Sequence, residues 1–239
     1  MDWTERTTEP SLRPGELQLW RSNLTDFRTR VSEFQHLLSE NEQSRAARFV
    51  RVTDQENYIV GRAILRQLLS KYLRTSLATL EIECNDFGKP SVPKVLNQKD
   101  IRFNLSHSGD LCVLGFRQSG EIGVDIEKIR DDLAMDDLAR RYFSPREVTE
   151  FESLPEAQRK LGFFLCWTRK EAYVKALGDG LQRPLDEFSM TLTPGEPPKL
   201  NSADSQRWMV LSVDPGTGYV GAVVTEKELS EVTYCNYRF

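Results

Sequence analysis

Histidine is scarce in this 239-residue chain, which contains only His36 and His107. Its four cysteines, Cys84, Cys112, Cys166 and Cys235, lie far apart and form no C-x-x-C pair. That spacing argues against a zinc site or a small disulfide framework, and predicts reduced, mostly buried thiols in a cytoplasmic protein. No apolar run approaches the roughly 20 residues that a membrane span needs. Met1–Pro10 is polar and charged with no apolar core, so a secretory leader is not expected there. A net charge of −4 leaves no broad basic face for nucleic acid. Any anion site must be assembled locally from a few Lys and Arg. Also missing are a G-x-x-x-x-G-K-S/T phosphate loop, the kinase motif set and a G-x-S-x-G nucleophile elbow.

What is present is an ordinary soluble composition, 39% hydrophobic and 28% charged, in a chain long enough for one large domain or two small ones. After a polar lead-in over 1–14, Glu16–Trp20 reads as a strand, Ser39–Phe49 as a helix, and Asp54–Leu73 as a stronger helix with Asp54 as its N-cap. Short strands follow at Leu80–Cys84, Ile101–Leu105, Leu111–Phe116 and Ile122–Glu127, with turns at Gly88-Lys89-Pro90 and Ser108-Gly109-Asp110. Leu133–Phe143 and Ser144–Ser153 read as helices, the second opening on the capping-box pattern Ser144-Pro145-x-Glu147. A long helix over Ala157–Leu177 stops at Gly178 and Gly180. Glu187–Leu192 and the hairpin Trp208–Val213 with Tyr219–Thr225 close the chain. The order of elements repeats along the chain, which predicts two similar α+β halves, 1–118 and 119–239. Two α+β domains with coincidentally similar order are the alternative. A duplicated fold would favour a ligand site in the cleft between halves.

Three segments carry candidate chemistry. In Ile122-Gly123-Val124-Asp125-Ile126-Glu127 the strand period puts Asp125 and Glu127 on one face and Val124 and Ile126 in the core. Two adjacent acids on an apolar strand ask for a cation between them, and Mg²⁺ suits that need; a solvated polar face is the plain alternative. In Trp167–Lys175 the helix period lines up Trp167, Glu171 and Lys175. There a third carboxylate beside an ammonium could complete a metal site and meet a phosphate, the alternative being a surface Glu–Lys pair. In Phe103–Asp110, Ser106, His107 and turn amides could hold an anion. A Ser-His-Asp hydrolase with His107 as base is weak, because Ser106 and His107 point to opposite faces of a strand. His36 reads as a surface residue. Of the basic residues Arg45, Arg48, Arg51, Arg62 and Lys89, Arg62 interrupts an apolar run and is the better phosphate candidate by position.

Together the segments Asn104–Ser108, Gly123–Glu127 and Trp167–Leu181 resemble, in order and separation, the N-(I/L)-S-H-S, G-(I/V)-D-(I/V)-E and W-(S/T)-x-K-E-A-x-x-K-x-x-G-x-G-L signature of the phosphopantetheinyl transferase superfamily. The likeness is to its long, monomeric type, which activates polyketide and peptide synthetases. The Gly88–Pro90 turn, the F-S-x-x-E stretch at Phe143–Glu147 and the G-R-A-x-L-R helix at Gly61–Arg66 extend it over about residues 40 to 192. The resemblance implies an α+β pseudo-dimer and transfer of phosphopantetheine from coenzyme A to a serine of an acyl or peptidyl carrier protein. It implies that Asp125, Glu127 and Glu171 bind Mg²⁺ with the pyrophosphate of coenzyme A, and that Lys175 faces the transferred phosphate. It implies that Glu171 or Glu127, directly or through water, takes the serine proton. His107 with Ser106, Lys89 with Pro90, and Arg45 would hold the 3′-phosphate and adenine end, with Arg62 a further candidate. Carrier docking is expected on the helices between Leu133 and Ser153. The rivals are another Mg²⁺-dependent phosphoryl-transfer enzyme and a non-catalytic carrier-binding module; the second would be expected to lack one of the carboxylates or Lys175.

Overall fold

The computed structural model describes residues 2–6, 8–178, 180 and 183–238. The first stretch of chain runs β1 (Thr4–Glu5), β2 (Glu16–Asn23), a 3-10 turn at Leu24–Arg30, and helices α1 (Val31–Gln35), α2 (Glu40–Ala46) and α3 (Val52–Leu73). A short ribbon of β3 (Glu83–Cys84) and β4 (Pro90–Ser91) follows, then the hairpin of β5 (Ile101–Ser108) and β6 (Leu111–Gln118). The second stretch runs β7 (Ile122–Lys128), α4 (Met135–Tyr142), α5 (Pro145–Ser153) and α6 (Glu156–Leu177). It continues with a ribbon of β8 (Ser189–Met190) and β9 (Leu200–Asn201), the hairpin of β10 (Trp208–Val213) and β11 (Tyr219–Glu226), and β12 (Glu231–Asn236).

The two stretches match in order: strand, capping-box helix, long helix, two-residue ribbon, hairpin. Ser39 with Glu42 caps α2 and Ser144 with Glu147 caps α5, each serine accepting from the backbone three residues on while the glutamate accepts from the serine N–H. α3 and α6 are both 22 residues long and bury apolar side chains around much of their circumference, as central helices do. Each ends on a left-handed residue, Arg74 at φ 54° and Gly178 at φ 79°.

A five-stranded sheet runs β1-β12-β2-β6-β5 and a three-stranded sheet β10-β11-β7. One apolar cluster fills the space under α3 and another the space under α6. A third, built from Leu17, Leu19, Val113, Ile122, Val124, Ile126, Val213 and Val223, lies between the sheets. The mixed α+β class expected from the sequence is therefore observed. The sheets pack tightly at Gly115, where a Cβ would lie 2.8 Å from side-chain atoms of Ile122 and Val124.

Several local expectations are corrected. α3 starts at Val52, so Asp54 sits in its first turn, where its charge favours the helix dipole, and is not the cap. Only Glu83–Cys84 of the expected strand Leu80–Cys84 pairs, because Leu80 is drawn into the core under α3. The polar lead-in contains β1, which pairs in parallel with β12. β12, unforeseen, pairs in parallel with β2, so the end of the chain completes the sheet that its start began. Cys112, Cys166 and Cys235 are buried and Cys84 exposed, all as free thiols. Among the described residues no helix is long and apolar enough to cross a membrane.

Candidate active site

β5 and β7 are the edge strands of the two sheets, and they meet through side chains. The N–H groups of Val124, Ile126 and Lys128 on β7 donate to Asn104 Oδ1 (2.9 Å), Ser106 Oγ (3.3 Å) and Ser108 Oγ (3.0 Å) on β5. Alternate residues of each strand are used, as the period of two requires. An exposed strand edge is thus satisfied without backbone pairing. Ser106 Oγ in turn donates to Asp125 Oδ1 at 3.0 Å, and Ser108 Oγ to Glu127 Oε2 at 2.7 Å. His107, on the opposite face from Ser106, is exposed.

α6 crosses β7 at Gly123, on the face that carries Asp125 and Glu127. A Cβ there would stand 2.0 Å from the Ala172 carbonyl oxygen and 2.3 Å from the Ala176 N, so only glycine admits the helix. This contact sets the α6 stripe of Glu171 and Lys175 against the acids of β7. Lys175 Nζ donates to Asp125 Oδ1 at 2.6 Å and to Ser106 Oγ at 3.2 Å. Asp125 is buried, and its second oxygen has no hydrogen-bond partner. Desolvation holds Asp125 above the ordinary carboxylate range despite the Lys175 ammonium. Glu127 is raised by desolvation and by the Asp125 charge, against the Ser108 hydrogen bond. Glu171 is raised by desolvation, then by Asp125, and has no hydrogen-bond or ion-pair partner among the described residues.

These groups line a cleft of about 820 Å³ drawn from both stretches of chain, Ser106 and His107 from the first and Asp125, Glu127, Glu171 and Lys175 from the second. Trp167 and Tyr142, edge to face at 5.6 Å, supply an apolar part of the lining, which also includes Arg141, Arg183 and Asp186. Partial desolvation in the cleft, and secondarily the Lys175 charge, hold His107 below its ordinary value. No hydrogen bond joins His107 to Asp125 among the described residues, so a Ser-His-Asp relay is not assembled.

The expected ligands of a cation stand side by side, but among the described residues no three His, Cys, Asp or Glu side chains converge on one point. The charge against Asp125 is instead the Lys175 ammonium. The orphaned, buried Asp125 Oδ2 and the unpartnered Glu171 are nevertheless the hard oxygen donors a divalent cation takes, so the residues fit Mg²⁺.

The structure separates the basic residues. A smaller hollow of about 280 Å³ adjoins the cleft at Glu171 and Lys175, and its walls include Lys89, Pro90, Gly88 and Phe87. Lys89 Nζ there donates to Glu121 Oε2 at 2.5 Å and to the Ala176 carbonyl at 2.7 Å, and desolvation lowers it. Arg45 and Arg62 line neither space. Arg45 is exposed with its guanidinium 5.6 Å from the Tyr58 ring centre, and Arg62 pairs with Glu42 at 2.5 Å beside Arg66. Gly178 and Gly180 belong to the described chain, whereas Asp179 and Leu181 of the same motif lie outside the described residues.

One motif residue has a place the sequence did not suggest. Lys170, next to Glu171, is wholly buried, with Nζ 2.7 Å from Glu147 Oε2 and 2.6 Å from the carbonyls of Leu185 and Phe188. Glu147 also accepts from the Met190 N–H at 2.6 Å. The F-S-x-x-E and K-E segments are therefore two ends of one buried ion pair that ties α5, α6 and the Leu185–Met190 segment together. A lysine inside an otherwise apolar helix face, with a capping-box glutamate upstream, was the only signal.

Comparisons with known proteins identify the family. A family model described as the 4'-phosphopantetheinyl transferase superfamily matches residues 121–224, and one described as 4'-phosphopantetheinyl transferase, N-terminal, matches residues 18–118. The chain is 35% identical to 4'-phosphopantetheinyl transferase HetI of Nostoc sp. over 221 residues, 92% of each chain. It is 30% identical to 4'-phosphopantetheinyl transferase psf-1 of Bacillus pumilus over 88% of each chain. With Sfp of Bacillus subtilis, also named a 4'-phosphopantetheinyl transferase, it shares 28% identity over 77% of this chain and 80% of that one. Matched along nearly its whole length by a relative above 30% identity, the chain belongs to the 4'-phosphopantetheinyl transferase superfamily and is a transferase.

Proposed function

We propose that the protein transfers the 4'-phosphopantetheine group of coenzyme A to a serine of apo acyl or peptidyl carrier proteins, with Mg²⁺, releasing 3′,5′-ADP. The observation that carries this reading is the acid lining of the cleft: the desolvated carboxylates of Asp125, Glu127 and Glu171 with the Lys175 ammonium, and Asp125 Oδ2 left without a partner. Such a group is poised for a cation and a pyrophosphate together. The matching order of elements and the two capping-box helices support reading the chain as two halves, 1–118 and 119–239, about a pseudo-twofold axis. β12 would cross into the first half's sheet. A monomer in the cytoplasm is the expected form, in keeping with that internal pairing.

Asp125, Glu127 and Glu171 would hold Mg²⁺, which when bound withdraws charge from the phosphate oxygens. Lys175 would leave Asp125 for the pyrophosphate and neutralise the charge that grows on the departing phosphate. Glu171, unpartnered and above its ordinary pKa, is the better placed base. It would take the proton of the carrier serine as that oxygen forms its bond to the β-phosphorus. The bond from that phosphorus to the bridging oxygen breaks, and 3′,5′-ADP leaves with the electron pair. Glu127 would serve as ligand and could relay the proton through water. His107 with Ser106, Lys89 with Pro90, and Arg45 would hold the 3′-phosphate and adenine end. Arg62 would act on that end through its pairing with Glu42. The carrier would dock on α4 and α5, where Arg140, Arg141 and Arg146 are exposed next to the Tyr142–Trp167 wall.

Titration calorimetry of coenzyme A against the protein tests the reading. Binding that is tight with Mg²⁺, weak in EDTA and lost in Asp125→Asn is expected. Equal binding with and without the metal would contradict it.

A further inference from the structure

Glu127 is the least constrained of the cleft acids that have a partner at all. Asp125 is held from two sides, by Ser106 and by Lys175. The Glu127 side chain has one hydrogen bond among the described residues, from Ser108 at 2.7 Å. An ionised carboxylate can only accept, so the hydroxyl proton goes to Glu127. The Lys128 N–H donates to Ser108 Oγ at 3.0 Å, engaging one of the two lone pairs and anchoring the hydroxyl beside β7. Ser108 comes from β5 in the first half and Glu127 from β7 in the second. The acid is thus aimed by the other half of the molecule.

We infer that Ser108 is a positioning residue that holds the Glu127 carboxylate at the cleft, ready to turn to the metal, so that the last serine of the N-L-S-H-S segment acts on the metal through the carboxylate without touching coenzyme A. This inference rests on the reading of Asp125, Glu127 and Glu171 as the cation's ligands. Ser108 lies outside the walls of both the cleft and the adjoining hollow, and its hydroxyl reaches the site only through Glu127. Partners that orient metal ligands in this way are worth roughly 10- to 100-fold in metal affinity or activity.

The test is Mn²⁺ affinity of the full-length protein in the presence of coenzyme A, read by electron paramagnetic resonance, for wild type, Ser108→Ala, Ser108→Thr and Glu127→Gln. Ser108→Ala should bind Mn²⁺ about tenfold more weakly, with the KM for coenzyme A at saturating metal unchanged. Ser108→Thr, which keeps the hydroxyl, should restore wild-type affinity. In the Glu127→Gln background, Ser108→Ala should add little. Should Ser108→Ala not fold, Ser108→Cys keeps the volume with a much weaker donor and should show the same loss. Wild-type Mn²⁺ affinity in folded Ser108→Ala or Ser108→Cys overturns the positioning role alone. If the wild type itself takes up no Mn²⁺ with coenzyme A, the ligand assignment falls and this inference with it.

Discussion

Gly123 of β7 lies so close to α6 that a methyl group on it would fall 2.0 Å from the carbonyl oxygen of Ala172. That single contact sets the distance between the strand carrying Asp125 and Glu127 and the helix carrying Glu171 and Lys175. Gly123→Ala must push the helix away or twist the strand, and overpacking of this kind costs about 1–3 kcal/mol or more. The expected outcome is a lower Tm together with loss of transfer even at temperatures where the variant is fully folded. Wild-type activity in the folded variant would show that the helix-to-strand distance is not what the chemistry needs.

The Lys170–Glu147 pair is buried at both ends. Lys170→Met leaves Glu147 buried without a counter-charge, which costs about 3–5 kcal/mol. Chemical denaturation should show that loss in the single variant. The double variant Lys170→Met/Glu147→Gln should recover part of it, because no charge is left unpaired.

Glu171 should trade stability for function. Its carboxylate is desolvated, repelled by Asp125 and unpartnered, so Glu171→Gln should hold or raise Tm by about 1–3 °C while abolishing transfer. A fall in Tm would mean that the charge is stabilising in the ligand-free protein.

The same acids set a pH dependence. Asp125, Glu127 and Glu171 all titrate above their ordinary values, chiefly through desolvation, so the folded protein binds these protons more tightly than the unfolded chain. Their contribution to stability is therefore greatest below the ordinary carboxylate pKa of about 4 and declines as pH rises through the raised values. Metal with coenzyme A needs the ionised forms, so the rise in Tm that they cause should grow over the same window. Melting curves with and without both ligands across a pH series would check this, and a ligand effect independent of pH would contradict it.

Lys175 bonds Asp125 and is proposed to meet the pyrophosphate during transfer. Lys175→Ala should lower kcat by about 10²–10³, comparable to removing one donor from a charge-stabilising site. Mn²⁺ affinity should hold or rise, since a competing cation is gone. Unchanged kcat would remove Lys175 from the mechanism.

Much of this was legible in the sequence because it depends on local periods. The i, i+4 stripe of Trp167, Glu171 and Lys175 and the i, i+2 pair of Asp125 and Glu127 both line the cleft. The Ser144–Glu147 capping box and the Gly178 stop are also local signals, and both appear where they were read. What was hidden depends on which strands and helices become neighbours. Asn104, Ser106 and Ser108 acquire their bonds only because β5 lies beside β7, 20 residues on along the chain. The Arg62 partner, Glu42, is brought to it by the packing of α2 on α3, although Ser39-x-x-Glu42 carried the same capping pattern as Ser144-x-x-Glu147. β12 escaped notice because its partner, β2, lies at the far end of the chain.

The most direct measurement of the central claim is the intact mass of a purified apo carrier protein after incubation with this protein, coenzyme A and Mg²⁺. A gain of one phosphopantetheine, absent in EDTA and absent with Glu171→Ala, is the predicted result. An unchanged mass for fatty-acid, polyketide and peptide carriers alike, or a full gain with Glu171→Ala, would contradict the account.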